Sequence, residues 1–128
     1  MPNLNAVVLV VEDDPIIRMC AVDLISEAGF ETIEASGADE AIGILERRSD
    51  VRLVFTDVDM PGTMDGVKLT HYIRDRWPPV KLIVASGKAM LDESHLPTGA
   101  RFFPKPYGDG IIVEAIRKLL DEANDATD

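Results

Sequence analysis

Residues 6–11 read AVVLVV, an unbroken apolar run dominated by β-branched side chains. A strand with one wet face alternates apolar and polar residues; one without alternation must be covered on both sides, as in a parallel sheet between two layers of helices. The same kind of run returns at 52–56 (RLVFT) and 80–85 (VKLIVA), with shorter ones at 31–35 and 101–104. Helical patterns lie between them. Asp14-Pro15 reads as an N-cap followed by proline at the first helical position. Ile17, Cys20, Ala21, Leu24, Ile25 and Ala28 then recur at helical spacing until Gly29 stops the helix. This spacing places Cys20 in the core. Ser36 is the expected cap of a helix near 38–48 with Ala41, Ile42 and Leu45 inward. Asp65 caps a third helix that ends at Trp77-Pro78-Pro79, and a last helix spans 109–123 with Ile112, Ala115, Ile116, Leu119 and Leu120 inward. Residues 88–96 have room only for a short helix before Pro97.

Strands alternating with helices predict a doubly wound α/β domain, its parallel sheet crossed over right-handedly with helices on both faces. The 128 residues suit one domain, with an acidic tail at 121–128 expected to fray. Net charge is −10, from 13 basic and 23 acidic residues, which argues against a nucleic-acid binder. A single cysteine excludes an internal disulfide and fits a reducing, cytoplasmic setting. Neither a signal peptide nor a bilayer-spanning apolar run is recognisable, so no membrane insertion is expected.

In such sheets ligands bind beyond the carboxyl ends of the strands. The residues there are Glu12-Asp13-Asp14 after strand one, Asp57 at the end of strand three, Ser86 after strand four and Lys105-Pro106 after strand five. If strands one and three are neighbours, Glu12, Asp13 and Asp57 converge, and clustered carboxylates repel unless something positive joins them. Oxygen-only ligands with open positions suit Mg²⁺, with Mn²⁺ a possible substitute, in a site shared with a phosphate. Lys105 supplies an ammonium for a phosphoryl oxygen, and Ser86 a neutral donor. These parts describe phosphoryl transfer onto a carboxylate.

Glu12-Asp13, Asp57 followed by Met60-Pro61 and Asp65-Gly66, Ser86, and Lys105-Pro106 stand in this order along nearly the whole chain. In that pattern the sequence resembles the receiver domain of bacterial two-component response regulators, of the chemotaxis-regulator type. The resemblance implies a flavodoxin-like five-stranded parallel sheet of order 2-1-3-4-5. It implies that Asp57 is the phosphoacceptor and a metal ligand, that Asp13 binds Mg²⁺ directly, and that Glu12 does so directly or through water. Asp59 would complete the metal shell with its backbone carbonyl. Ser86 would follow the phosphoryl group on activation, Lys105 would neutralise one of its oxygens, and the Lys105-Pro106 peptide would be cis. Phe102 falls at the aromatic switch position. Asp59 and Lys88 occupy positions that tune phosphate lifetime, and we expect them to pair across the pocket mouth.

The same resemblance implies a histidine kinase or histidine phosphotransfer protein as donor, docking near Pro15, Ile16 and Pro106. A downstream protein and a phosphorylation-dependent dimer are left open. Two departures stand out. The loop from Met60 to Gly66 is one residue longer than the usual spacing, and the interval from Ser86 to Lys105 is shorter and broken by Pro97, so the fourth helix should be short or irregular. His71 and His95 are isolated and expected to be exposed or structural. Two other readings compete with a stand-alone receiver that catalyses its own phosphorylation and dephosphorylation without being an enzyme in the usual sense. Asp57-Val58-Asp59 resembles the Asp-x-Asp motif of haloacid-dehalogenase-type phosphatases, although that motif sits on a first strand and leaves Glu12-Asp13 unexplained. A phosphate-independent binding module would not need the complete acid, hydroxyl and lysine set.

Overall fold

The computed structural model describes residues 6–58, 65–87 and 93–126, with side chains described through residue 121. The elements follow in the order β1 (Val7–Val11), α1 (Pro15–Glu27), β2 (Glu31–Ala35), α2 (Ala38–Arg47), β3 (Val51–Asp57), α3 (Gly66–Arg76), β4 (Lys81–Ser86), a 3-10 turn (Glu93–His95), β5 (Arg101–Pro104) and α4 (Asp109–Ala126). The strands are all parallel in the order β2-β1-β3-β4-β5. This is the expected doubly wound, flavodoxin-like topology.

The apolar runs are explained by two core layers. Val7, Leu9 and Val11 face α2 and α3, packing with Ala41, Leu45, Leu69 and Ile73. Val8 and Val10 point the other way, toward Ala21 and Ile25 of α1 and Ile112 and Ile116 of α4. Every residue of β1 is buried, as a strand without alternation requires. In β4, Leu82 and Val84 join the first layer and Ile83 and Ala85 the second.

Helix starts and stops largely follow local chemistry. The Asp14 carboxylate accepts from the N–H groups of Ile16 and Ile17, and Pro15 opens α1. Gly29, at φ +103°, takes the left-handed conformation that ends it. Asp65 caps α3 through the Lys68 N–H.

Three expectations need correction. The cap of α2 is Gly37, whose side chain offers nothing, because Glu40 captures both the N–H and the hydroxyl of Ser36 at 2.7 and 2.9 Å. Cys20 is exposed, not in the core. The buried stripe of α1 is Ala21 and Ile25, and the apolar residues Ile16, Ile17 and Met19 also lie outward, so spacing alone did not select the inner face. Finally, α4 continues past the expected end at 123 to Ala126, taking in much of the acidic tail.

Between β4 and β5 the described residues hold one 3-10 turn, where a short or irregular helix was expected. The turn is tied to α3 by His71 Nε2 against the His95 carbonyl at 3.0 Å, and the segment that follows it by Arg74 donating to the Thr98 carbonyl at 2.5 Å. Both histidines are exposed. Among the described residues, no helix is long and apolar enough to cross a membrane.

Candidate phosphorylation site

The carboxyl ends of β1, β3, β4 and β5 meet at one edge of the sheet. Because β1 and β3 pair in parallel from Val8↔Leu53 to Val11↔Thr56, the next residues, Glu12 and Asp57, emerge side by side. Asp57 follows the parity of Leu53 and Phe55, whose side chains lie on the α1 and α4 side of the sheet. Glu12, Asp13 and Asp57 each offer a carboxylate oxygen, all within 4.8 Å of one another. Such a hard, oxygen-only set fits a divalent cation of the Mg²⁺ type.

Lys105 provides positive charge at this edge. Its Nζ donates to Asp57 Oδ1 at 2.9 Å and stands 3.7 Å from Glu12 Oε1. Its own N–H bonds the Ser86 carbonyl at 2.9 Å, which fixes the end of β5 to the end of β4. The Lys105-Pro106 peptide is cis. Burial works to lower the pKa of the ammonium, but the hydrogen bond and charge of Asp57, with the charge of Glu12, carry it above the ordinary lysine value.

Glu12 is almost wholly buried and is held at several points. Its N–H donates to the Ala35 carbonyl, and Oε2 accepts the Asp14 N–H at 3.1 Å. Burial raises its pKa, and the charge of Asp57 and a hydrogen bond with Asp13 push the same way. The Asp14 N–H and Lys105 oppose this without cancelling it. Three carboxylates, those of Glu12, Asp13 and Asp57, thus meet the Lys105 ammonium at this edge.

Ser86 is buried at the end of β4. Phe102 is half-buried and packs against the α2–α3 core layer, while its N–H meets Glu93 Oε2 at 3.3 Å. The structure thus brings together Glu12, Asp13, Asp57 and Lys105, with Ser86 bonded to Lys105 through its backbone. Asp59 and Lys88, including their expected pairing and the Asp59 carbonyl, lie outside the described residues, as does the lengthened loop at 60–64.

Sequence reasoning missed some neighbours. Tyr107 stacks edge-on against Phe55, with ring centroids 5.9 Å apart. With Ile17 and Ala21 it lines a small, nearly filled pocket together with Glu12, Asp57 and Lys105. Burial there raises the Tyr107 pKa, Lys105 opposing and Glu12 adding to it. Gly66 sits where an added Cβ would strike the backbone of Asp57 and Val58, so α3 can approach the end of β3 only without a side chain there. Its place beside Asp65 was visible in the sequence; the close approach was not.

Known proteins resemble this chain in sequence and in fold. The family profile of the response regulator receiver domain matches residues 8–117. The chain is 34% identical over 119 residues to the chemotaxis protein CheY of Thermotoga maritima, covering 88% of this chain and 95% of that one. It is also 34% identical to the sensor kinase CckA of Brucella abortus over 92% of its own length, but spans only 13% of that protein. A solved CheY-like receiver domain protein from Methanospirillum hungatei superposes with a TM-score of 0.85 at 27% identity, covering 94% of this chain and 98% of that one. By this match, and by the fold and site that accompany it, the chain belongs to the response regulator receiver domain family of two-component signalling.

Proposed function

We propose that the chain accepts a phosphoryl group on Asp57 from a phosphohistidine of a histidine kinase or phosphotransfer protein and signals through a changed protein-binding surface. The observation that carries this reading is the position of Asp57: a buried carboxylate within 4.8 Å of two others, with an ammonium 2.9 Å away. In the transfer a carboxylate oxygen of Asp57 forms the new P–O bond as the P–N bond to the donor imidazole breaks, and the imidazole nitrogen leaves with the electron pair. Lys105 shifts its ammonium from Asp57 Oδ1 to a phosphoryl oxygen, and Ser86 donates its hydroxyl to another. Glu12, Asp13 and Asp57 would hold Mg²⁺, which when bound supplies the positive charge that offsets the incoming phosphoryl oxygens. Mn²⁺ would serve the same donors.

Pro15, Ile16 and Pro106 are exposed beside this edge and form our candidate donor contact. The chain functions in the cytoplasm in this account, where a phosphohistidine donor and Mg²⁺ are available. Phe102 acts as the switch by leaving its inward packing when Ser86 moves. Incubation with Mg²⁺ and acetyl phosphate, followed by intact mass at acidic pH, tests the reading. One phosphoryl adduct is expected, and none on Asp57→Ala. Unmodified wild-type protein under those conditions, or sustained turnover of phosphate esters, would overturn it.

A further inference from the structure

Arg18, one turn into α1, spans three elements. Its NH1 donates to the backbone carbonyl of Glu12 at 2.8 Å, and its Nε donates to Glu34 Oε1 of β2 at 3.0 Å. Only 20% of the side chain is exposed. The Glu12 carbonyl lies where β1 gives way to the turn that carries Glu12, Asp13 and Asp14. The turn's other ties include the Glu12 N–H on the Ala35 carbonyl, the Asp14 N–H on Glu12 Oε2, the Asp14 cap on α1 and the Lys105 ammonium 3.7 Å from Glu12 Oε1. Of the backbone carbonyls of Glu12 and Asp14, Arg18 holds the first by its guanidinium and the second by its own N–H. A guanidinium suits the task because its rigid fork can serve two acceptors lying in different directions.

We propose that Arg18 is a positioning residue for the cation-binding acids: it clamps the Glu12 carbonyl to Glu34 and so holds the Glu12–Asp13 turn in a ligand-ready conformation. The inference rests on the proposed metal role of those acids, and it has a sign that separates positioning from charge. Removing a cation near a metal site should tighten cation binding if electrostatics governs. Removing a clamp should weaken it, because residues that orient metal ligands typically contribute ten- to hundred-fold in affinity. Arg18 holds a backbone carbonyl and not a ligand side chain, so the low end applies, about tenfold.

The test is Mg²⁺ titration of the full chain followed by calorimetry or amide NMR shifts, for wild type, Arg18→Ala and Arg18→Lys. Amide hydrogen exchange is measured in parallel without metal. Arg18→Ala should bind Mg²⁺ about tenfold more weakly. Arg18→Lys keeps the charge but cannot bridge both acceptors, and it should also weaken binding. In both variants the Asp14 N–H should exchange faster while the amides of β4 stay protected, which shows that the fold is intact. Unchanged or tighter Mg²⁺ binding by Arg18→Ala overturns the proposal. Failure of the wild type to bind Mg²⁺ would instead sink the metal reading, and the metal-free exchange then decides for Arg18 alone: an unchanged Asp14 rate refutes the clamp, a faster one upholds it.

Discussion

Replacing Gly66 with alanine should damage both stability and the site, by an amount the geometry bounds. The new Cβ would lie 2.7 Å from Val58 Cα and 2.9 Å from the Asp57 carbonyl carbon, with the Asp57 carbonyl oxygen nearer still. These are backbone atoms at the end of a central strand, so no side chain can rotate away. Either the first turn of α3 retreats, losing the Gly66 N–H bond to the Val58 carbonyl at 3.0 Å, or the end of β3 shifts and carries Asp57 with it. Overpacking of this kind costs about 1–3 kcal/mol and the lost hydrogen bond about 1 more, so a loss of about 2–4 kcal/mol is expected. Gly43→Ala is the matched control. It lies inside α2, its added methyl meets only the flexible end of Arg47 at 3.4 Å, and it should gain about 0.5–1 kcal/mol from helix propensity. Urea unfolding reads both, as opposite shifts in midpoint at constant slope. A Gly66→Ala midpoint at or above the wild-type value would refute the close-approach argument.

Lys105→Met leaves two buried carboxylates without their ammonium, and at neutral pH we expect a loss of about 1–3 kcal/mol that added Mg²⁺ restores. The raised Lys105 pKa means its contribution is complete below the unfolded lysine value and disappears as pH rises through the folded one; it also shrinks in acid as its carboxylate partners protonate. A pH-independent difference between variant and wild type in urea would contradict the pairing. Glu12, whose pKa is raised on folding, holds a proton that the unfolded chain has released, so stability should fall with rising pH from the ordinary glutamate value up to the raised one. Glu12→Gln should flatten that part of the profile, and an unaltered profile would remove Glu12 as its source. Exposed Cys20 should react with a water-soluble thiol reagent in the native protein at nearly the unfolded rate; strong native protection would restore the core assignment.

Much of this could be read from the chain because local and global demands coincide. A strand with no polar face had to be covered twice, and Val7 to Val11 are indeed buried throughout. Asp14-Pro15 and Asp65 have only one good use each, and both serve as caps. Glu12, Asp57 and Lys105 met because a parallel sheet delivers all its strand ends to one edge. Other features depend on choices that sequence spacing does not resolve. Helix α1 is apolar on more than one face, so periodicity could not tell Ala21 and Ile25, which are buried, from Ile17 and Cys20, which are not. Ser36 is a good cap by type, but Glu40, one turn on, claims both its polar groups. Arg18 shows a deeper limit. Its partner near the site is a backbone carbonyl, and no residue type marks that acceptor in a sequence.

The phosphoacceptor can be identified chemically. After phosphorylation with acetyl phosphate and Mg²⁺, borohydride reduction converts an aspartyl phosphate to homoserine, and peptide sequencing by mass spectrometry locates the change. We predict homoserine at position 57 and nowhere else, with Asp13 and Glu12 intact. Reduction at Asp13 or Glu12 in place of Asp57, or no reducible acyl phosphate at all, would contradict the assignment of Asp57 as the nucleophile.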